Sequence, residues 1–129
     1  MKLHTFDHIA VNTVDINKSV RFYTEVLGLT ETKRVPNGDN TLVYMKVNDT
    51  SAVELFDHEQ PISYSEAAPD KSGVGHFCLS VTDIEAWNEH LKKHNVEFTL
   101  PLCDLSHLGK KVLLFKDPNG VVIELCEDL

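Results

Sequence analysis

The chain has 129 residues, 42% apolar and 25% charged, with twelve basic residues against twenty acidic ones and a net charge of −8. That length fits one domain with a sizeable core, and the acidic balance argues against a nucleic-acid face or an anionic membrane surface. No run approaches the ~20 apolar residues of a membrane span, Met1 to His8 lacks the apolar core of a signal peptide, and three cysteines (Cys78, Cys103, Cys126) without CxxC spacing suit neither a disulfide framework nor a thiolate zinc site.

Phe6 to Asn12 alternates and predicts a first strand. Asp15 reads as a helix N-cap, with Ile16, Val20, Tyr23 and Leu27 at helical spacing and Gly28 as the stop. Leu29 to Val35 predicts a strand, Pro36-Asn37-Gly38 a turn, and Thr41 to Val47 and Ala52 to Phe56 two further strands. Residues 57–73 break this pattern with Pro61, Pro69 and Gly73 and read as a connecting arm. Gly75 to Val81 predicts another strand, and Asp83 caps a helix carrying Ile84, Trp87 and Leu91 and ending at Asn95. Val96 to Leu100 and Lys111 to Phe115 predict strands around a loop over Pro101 to Lys110, and Asp117-Pro118-Asn119-Gly120 turns into the last strand, Val121 to Cys126.

The order βαβββ therefore occurs twice. His8 and His76 each stand seven positions before an Asp-Ile pair, Asp15-Ile16 and Asp83-Ile84. Glu54-Leu55 follows His8 by 46 residues, and Glu124-Leu125 follows His76 by 48. Two copies of one unit are implied: a single domain with module 1 over about 4–57, an arm over about 58–73 and module 2 over about 74–129. The expected fold is α+β, two tandem βαβββ modules forming a curled, cup-like mixed sheet with helices packed outside.

Strand parity gives each of the four polar residues its face-mates. Ile9, Val11, Val53, Leu55, Phe77, Leu79, Ile123 and Leu125 fall on the opposite, apolar face. Glu124, a carboxylate inside an apolar strand, needs a partner, because a buried charge is costly unless paired, hydrogen-bonded or metal-bound. Two imidazoles and two carboxylates converging on one face form an all-N/O ligand set suited to Ni, Co, Mn, Fe or Zn.

The duplicated order, His8-Ile9-Ala10-Val11, Gly75-His76-Phe77-Cys78-Leu79-Ser80-Val81, Asp117-Pro118-Asn119-Gly120-Val121-Val122-Ile123-Glu124-Leu125 and Arg21-Phe22-Tyr23-Thr24-Glu25-Val26-Leu27-Gly28-Leu29 resemble the vicinal oxygen chelate superfamily. That resemblance spans the chain and is nearest to the short bacterial glyoxalase I type. It implies a metal held by His8, Glu54, His76 and Glu124, with Ni or Co favoured and Zn, Mn or Fe possible. It implies a lyase that isomerises the hemithioacetal of a 2-oxoaldehyde such as methylglyoxal to a 2-hydroxyacyl thioester through a metal-stabilised enediolate. Glu124 is then the candidate base and Glu54 its partner. The resemblance also implies a homodimer with sites shared between chains, acting on a small molecule that can be a thiol adduct, while the N-terminus and cysteine usage make the cytoplasm the expected location. Glutathione-using members carry arginine four positions after the first histidine, where this chain has Asn12. The superfamily leaves other activities open: a fosfomycin-type thiol transferase, an epimerase, an extradiol dioxygenase, or a metal-free small-molecule binding or resistance protein.

Asn12, Phe56, His58, Cys78 and His107 are the expected lining of the substrate pocket. Cys126 shares the face of Cys78, and both read first as small hydrophobes. His90 and His94 stand four apart on the second helix beside Glu89, Lys92 and Lys93, a solvated face. Lys110 and Lys111 are adjacent in a strand, so at most one of them enters the cup.

Overall fold

Alternating apolar residues draw Ile9 and Val11 to one side of the first strand, β1 (His8–Asn12), and leave His8, Ala10 and Asn12 on the other. The computed structural model describes residues 1–62 and 73–129, and most of the expected arm, 63–72, lies outside the described residues. The chain divides into two units, Met1–Tyr64 and Ser65–Leu129.

In the first unit β1 leads to α1 (Ile16–Arg21), β2 (Thr30–Asn37), β3 (Asn40–Lys46) and β4 (Ala52–His58). The Asp15 carboxylate caps α1 by accepting the Lys18 N–H at 3.1 Å, satisfying one of the donors a helix start leaves without a partner. The expected α-helix does not run unbroken to Leu27. It widens into a π-helical turn over Phe22–Val26, where Leu27 N–H reaches the Phe22 carbonyl at 3.3 Å. Tyr23, Val26 and Leu27 are all buried there. Gly28, at φ +71°, takes the left-handed conformation that ends the helix.

The sheet order is β1-β4-β3-β2, with β1 parallel to β4 and the other pairs antiparallel. The helix and the β2–β3 hairpin form the long crossover that a parallel pair needs. Pro36 and Asn37 belong to β2 rather than to a turn, and the hairpin closes over Gly38 and Asp39. Val11, Val43, Met45, Val53 and Leu55 form the buried side of this sheet, and α1 packs on β4.

The second unit repeats the scheme with β5 (Phe77–Ser80), α2 (Ile84–Lys93), β6 (Phe98–Leu105), β7 (Lys110–Lys116) and β8 (Val122–Asp128), in the order β5-β8-β7-β6. Again only the first and last strands pair in parallel. The expected loop over Pro101 to Lys110 is largely strand. β6 runs to Leu105, followed by a 3₁₀ turn at Ser106–Leu108. As the sheet's edge, β6 tolerates Pro101 without an N–H to give, and its register shifts between Leu100 and Cys103. β5 begins one residue after His76, shorter than the expected strand.

The start of α2 is held twice. Asp83 accepts the Ala86 N–H at 3.1 Å, and Glu127 from β8 accepts the Asp83 and Ile84 N–H groups at 3.0 and 2.9 Å. A carboxylate at a helix N-terminus also complements the helix dipole. Ile84, Leu91, Leu113, Phe115, Ile123 and Leu125 are buried, and α2 packs on β7 and β8. Among the described residues no helix is long and apolar enough to cross a membrane.

The burial pattern sets the expected costs of truncation. Leu91→Ala removes a side chain that is 0% exposed and is expected to cost about 2–5 kcal/mol in urea unfolding. Leu108→Ala, at a residue 61% exposed, is expected to stay within about 0.5 kcal/mol. Equal losses would contradict this core assignment.

Candidate metal centre

Each unit sets one histidine beside one glutamate by the same strand register. Ala10 stands opposite Glu54 in the parallel β1–β4 pair, and Cys78 stands opposite Glu124 in β5–β8. Both partners lie two residues after the histidine of their unit, so each histidine is diagonal to its glutamate on one face. His8 Nε2 lies 3.8 Å from Glu54 Oε1, and His76 Nε2 lies 2.7 Å from Glu124 Oε2.

The turn before β8 fixes the second glutamate's strand. Asp117 is buried and accepts the N–H groups of Asn119 and Val121, both at 2.8 Å, and the Asn119 side-chain amide at 2.9 Å. Asn48 does similar work before β4, with its side-chain oxygen accepting the Thr50 and Ser51 N–H groups at 2.9 Å. In both units a short polar side chain starts the glutamate strand by binding its own backbone.

The two pairs differ in what surrounds them. The Glu54 side chain is 6% exposed, against 18% for Glu124. Asp7 lies 2.7 Å from His8 Nδ1, and this contact holds the His8 ring above the ordinary histidine value, with partial burial opposing and the Glu54 and Asp7 charges assisting. Tyr44 is directly across from Glu54. That carboxylate, acting first as hydrogen-bond acceptor, raises the Tyr44 phenol above its ordinary value, with burial and the charge itself adding to the effect. The Tyr44 ring also meets His8 edge-on at 6.5 Å between centroids. In the second unit Leu114 stands across from Glu124, so no phenol braces that carboxylate from β7. Cys78 is pushed up to about 12 by partial burial, then by Cys126 and the Glu124 charge.

Asn12, Phe56 and His58 come together at one end of the Glu54 face. Asn12 is opposite Phe56, its side-chain oxygen lies 2.9 Å from His58 Nε2, and the Phe56 and His58 rings stack at 6.0 Å. His107 sits exposed in the 3₁₀ turn before β7. Lys110 pairs with Asp128 and Lys111 with Glu85, in keeping with their opposite faces. His90 and His94 approach to 4.6 Å between ring centroids on α2. Asp7 and Tyr44 were not among the expected site residues. Asp7 adjoins His8 in sequence, and counting outward from the Asn48 turn pairs Tyr44 with Glu54.

The donor chemistry fits a divalent cation. Neighbouring ligands of a six-coordinate ion with ~2.1 Å bonds lie about 3 Å apart, a value bracketed by the 2.7 and 3.8 Å separations. The Asp7 contact occupies His8 Nδ1 and turns Nε2 toward Glu54, an arrangement in keeping with the outer carboxylates that orient metal-binding histidines. Each unit supplies two donors, and among the described residues no three His, Cys, Asp or Glu side chains are gathered as a metal-binding group.

Residues 5–125 match the family model described as the Glyoxalase/Bleomycin resistance protein/Dioxygenase superfamily. The chain is 32% identical to the uncharacterised protein YaeR of Escherichia coli K12, over 93% of each chain. It is 28% identical to the mitochondrial methylmalonyl-CoA epimerase of Mus musculus, over 96% of this chain and 73% of that one. Identity to the lactoylglutathione lyase of Pseudomonas putida is 26%, over 95% and 84%. Among solved structures, a glyoxalase family protein from Enterococcus faecalis superposes with a TM-score of 0.79 at 26% identity, covering 95% of this chain and 97% of that one.

The Asp7–His8 contact makes a measurable prediction. In metal-free protein the His8 ring is expected to titrate above the ordinary value of about 6.5, with Asp7→Asn bringing it down, read from ring-proton shifts against pH. An unchanged titration would show that Asp7 does not hold the ring.

Proposed function

The chain belongs to the glyoxalase/bleomycin resistance protein/dioxygenase superfamily, and from that membership we propose that it is a divalent-metal-dependent, glyoxalase I-like lyase. The substrate is the hemithioacetal of a 2-oxoaldehyde, and the product is a 2-hydroxyacyl thioester. The observation that carries this reading is the His–Glu pair repeated at one register in both units, 3.8 Å in one and 2.7 Å in the other. Similarity to a lactoylglutathione lyase supports it.

His8, Glu54, His76 and Glu124 are the proposed metal ligands, for Ni or Co first and Zn, Mn or Fe as alternatives. When bound, the cation supplies Lewis-acid stabilisation of the negative charge that grows on a substrate oxygen as a carbon-bound proton leaves. Glu124 removes that proton from C1 and returns it to C2. The asymmetry of the two carboxylates supports this division of labour. Glu54 is nearly buried and has the Tyr44 phenol across from it, whereas Glu124 is more exposed and faces Leu114. Glu54 therefore serves as the fixed partner, and Asp7 orients His8. Asn12, Phe56 and His58 line the pocket, with Cys78 and His107 as further lining. We extend the proposal to a homodimer with sites shared between chains. A cytoplasmic location accords with the free thiols of Cys78, Cys103 and Cys126.

A second reading is an epimerase, favoured by the similarity to methylmalonyl-CoA epimerase. It uses the same removal and return of a proton beside a carbonyl.

Protein loaded with Ni, Co, Mn or Zn is tested with methylglyoxal plus glutathione, bacillithiol or coenzyme A, and separately with methylmalonyl-CoA. Thioester formation with at least one thiol is expected, and Glu124→Gln is expected to lower kcat by about a hundredfold or more while metal remains bound. Turnover of methylmalonyl-CoA alone would replace the lyase by the epimerase. No thioester with any thiol, or a fully active Glu124→Gln, would overturn the lyase or the role of Glu124 respectively.

A further inference from the structure

The last turn of α2 carries two histidines, His90 and His94, four residues apart and so on one face of the helix. Their ring centres lie 4.6 Å apart, with the rings tilted by 54°. The helix that carries them is fixed at both ends of this turn. Leu91, 0% exposed, anchors it on the sheet. Beyond it, Asn95 takes the left-handed conformation at φ +53°, its N–H donates to the Lys92 carbonyl at 3.0 Å, and the Val96 N–H donates to the Leu91 carbonyl at 3.4 Å, a closure that holds the helix end. The His94 N–H still reaches the His90 carbonyl at 3.3 Å, so helical spacing persists through the pair. His90 is half-buried and His94 exposed, which leaves the pair open to solvent on one side.

Two imidazoles bound to one ion through ~2.0 Å bonds have ring centres about 4.5 Å apart when the bonds meet at a right angle, and about 5 Å apart at the tetrahedral angle. The observed spacing matches the right-angled case, which suits the square-planar and tetragonal geometries of Cu²⁺ and Ni²⁺. The surroundings admit a cation. At about 100° per residue, Lys92 projects to the opposite side of α2 and is paired there with Glu89 at 2.9 Å; Lys93 flanks the pair as its nearest cation. The C-terminal end of a helix is also the negative pole of its dipole. The sheet separates this pair from Glu124: α2 packs on β7 and β8, and along β8 Glu124 alternates with the buried Ile123 and Leu125.

We propose that His90 and His94 form a second metal site, an exposed two-imidazole chelate for a late divalent transition ion, with Cu²⁺ held more tightly than Ni²⁺ or Zn²⁺. Solvent ligands complete the coordination, so the bound ion is exchangeable. Fixing both rings on one helix face makes the second bond intramolecular, and this linkage, rather than either ring alone, supplies the affinity. The site shares no residue with the His–Glu centre and does not depend on the lyase reading.

The fold supplies its own reporter. Trp87 is the single tryptophan of the chain, and its ring meets His90 edge-on at 5.7 Å between centroids, so a paramagnetic Cu²⁺ ion held by the pair quenches its fluorescence. Full-length protein is titrated with copper(II) chloride in a glycine buffer that sets the free Cu²⁺, and tryptophan emission is read. Saturable quenching is expected. His90→Ala and His94→Ala are each expected to raise the Cu²⁺ dissociation constant at least about tenfold, whereas Lys92→Ala and His76→Ala leave the quenching midpoint where it is. In ¹⁵N-labelled parent protein, Cu²⁺ is expected to broaden the amides of residues 87–96, a readout that needs no variant. Absence of both quenching and local broadening would overturn the site. So would undiminished affinity in either histidine variant, which would leave at most one imidazole as ligand, and a midpoint displaced by His76→Ala would show that the ion belongs to the His–Glu centre instead.

Discussion

A carboxylate embedded in a β-strand must find a partner, and most of what distinguishes this chain follows from meeting that requirement twice. Glu54 and Glu124 sit between apolar neighbours that face the core, Val53 and Leu55 in one strand, Ile123 and Leu125 in the other. An ionised side chain so placed is costly without hydrogen bonds or counter-charge. The fold answers by pairing each glutamate strand in parallel with a strand that begins at or just after a histidine. The long crossover required by a parallel pair is the reason a helix and a hairpin separate those strands in each unit. The polar pair and the topology are therefore one constraint.

Equal registers have not produced equal environments. The first unit surrounds its glutamate with Tyr44 and its histidine with Asp7, and stacks Lys33 on the same tyrosine. The second sets Leu114 and two cysteines around Glu124. Duplication thus preserved the donors while the residues across the strands diverged. In the proposed chemistry this divergence separates holding from proton transfer: a braced, nearly buried carboxylate is suited to the first task and a looser one to the second.

Much of this was legible in the sequence because it depends on local pattern. Asp15 and Asp83 announced their helices, Gly28 and Asn95 ended them, and the spacing of histidine, cap and glutamate exposed the duplication. Strand parity separated the Ile9–Val11 side of β1 from the His8–Asn12 side. Other features depend on cross-strand register, which periodicity does not carry. Tyr44 matters only because the β3–β4 hairpin sets it opposite Glu54, and Lys33 meets its ring only because β2 shifts register before it. Pro101 read as a loop residue, since a proline breaks a central strand; it is tolerated because β6 is an edge. The π-helical turn after Arg21 left no mark that spacing of apolar residues could distinguish from a regular helix.

The central proposal is that His8, Glu54, His76 and Glu124 serve as metal ligands. Isothermal titration of metal-free protein with Ni²⁺ or Co²⁺ measures it most directly, comparing the parent with His8→Ala and His76→Ala. The account predicts about one equivalent bound per site and a loss of affinity of at least about tenfold in each variant. Substoichiometric binding in the parent, or undiminished affinity after removal of either histidine, would contradict it.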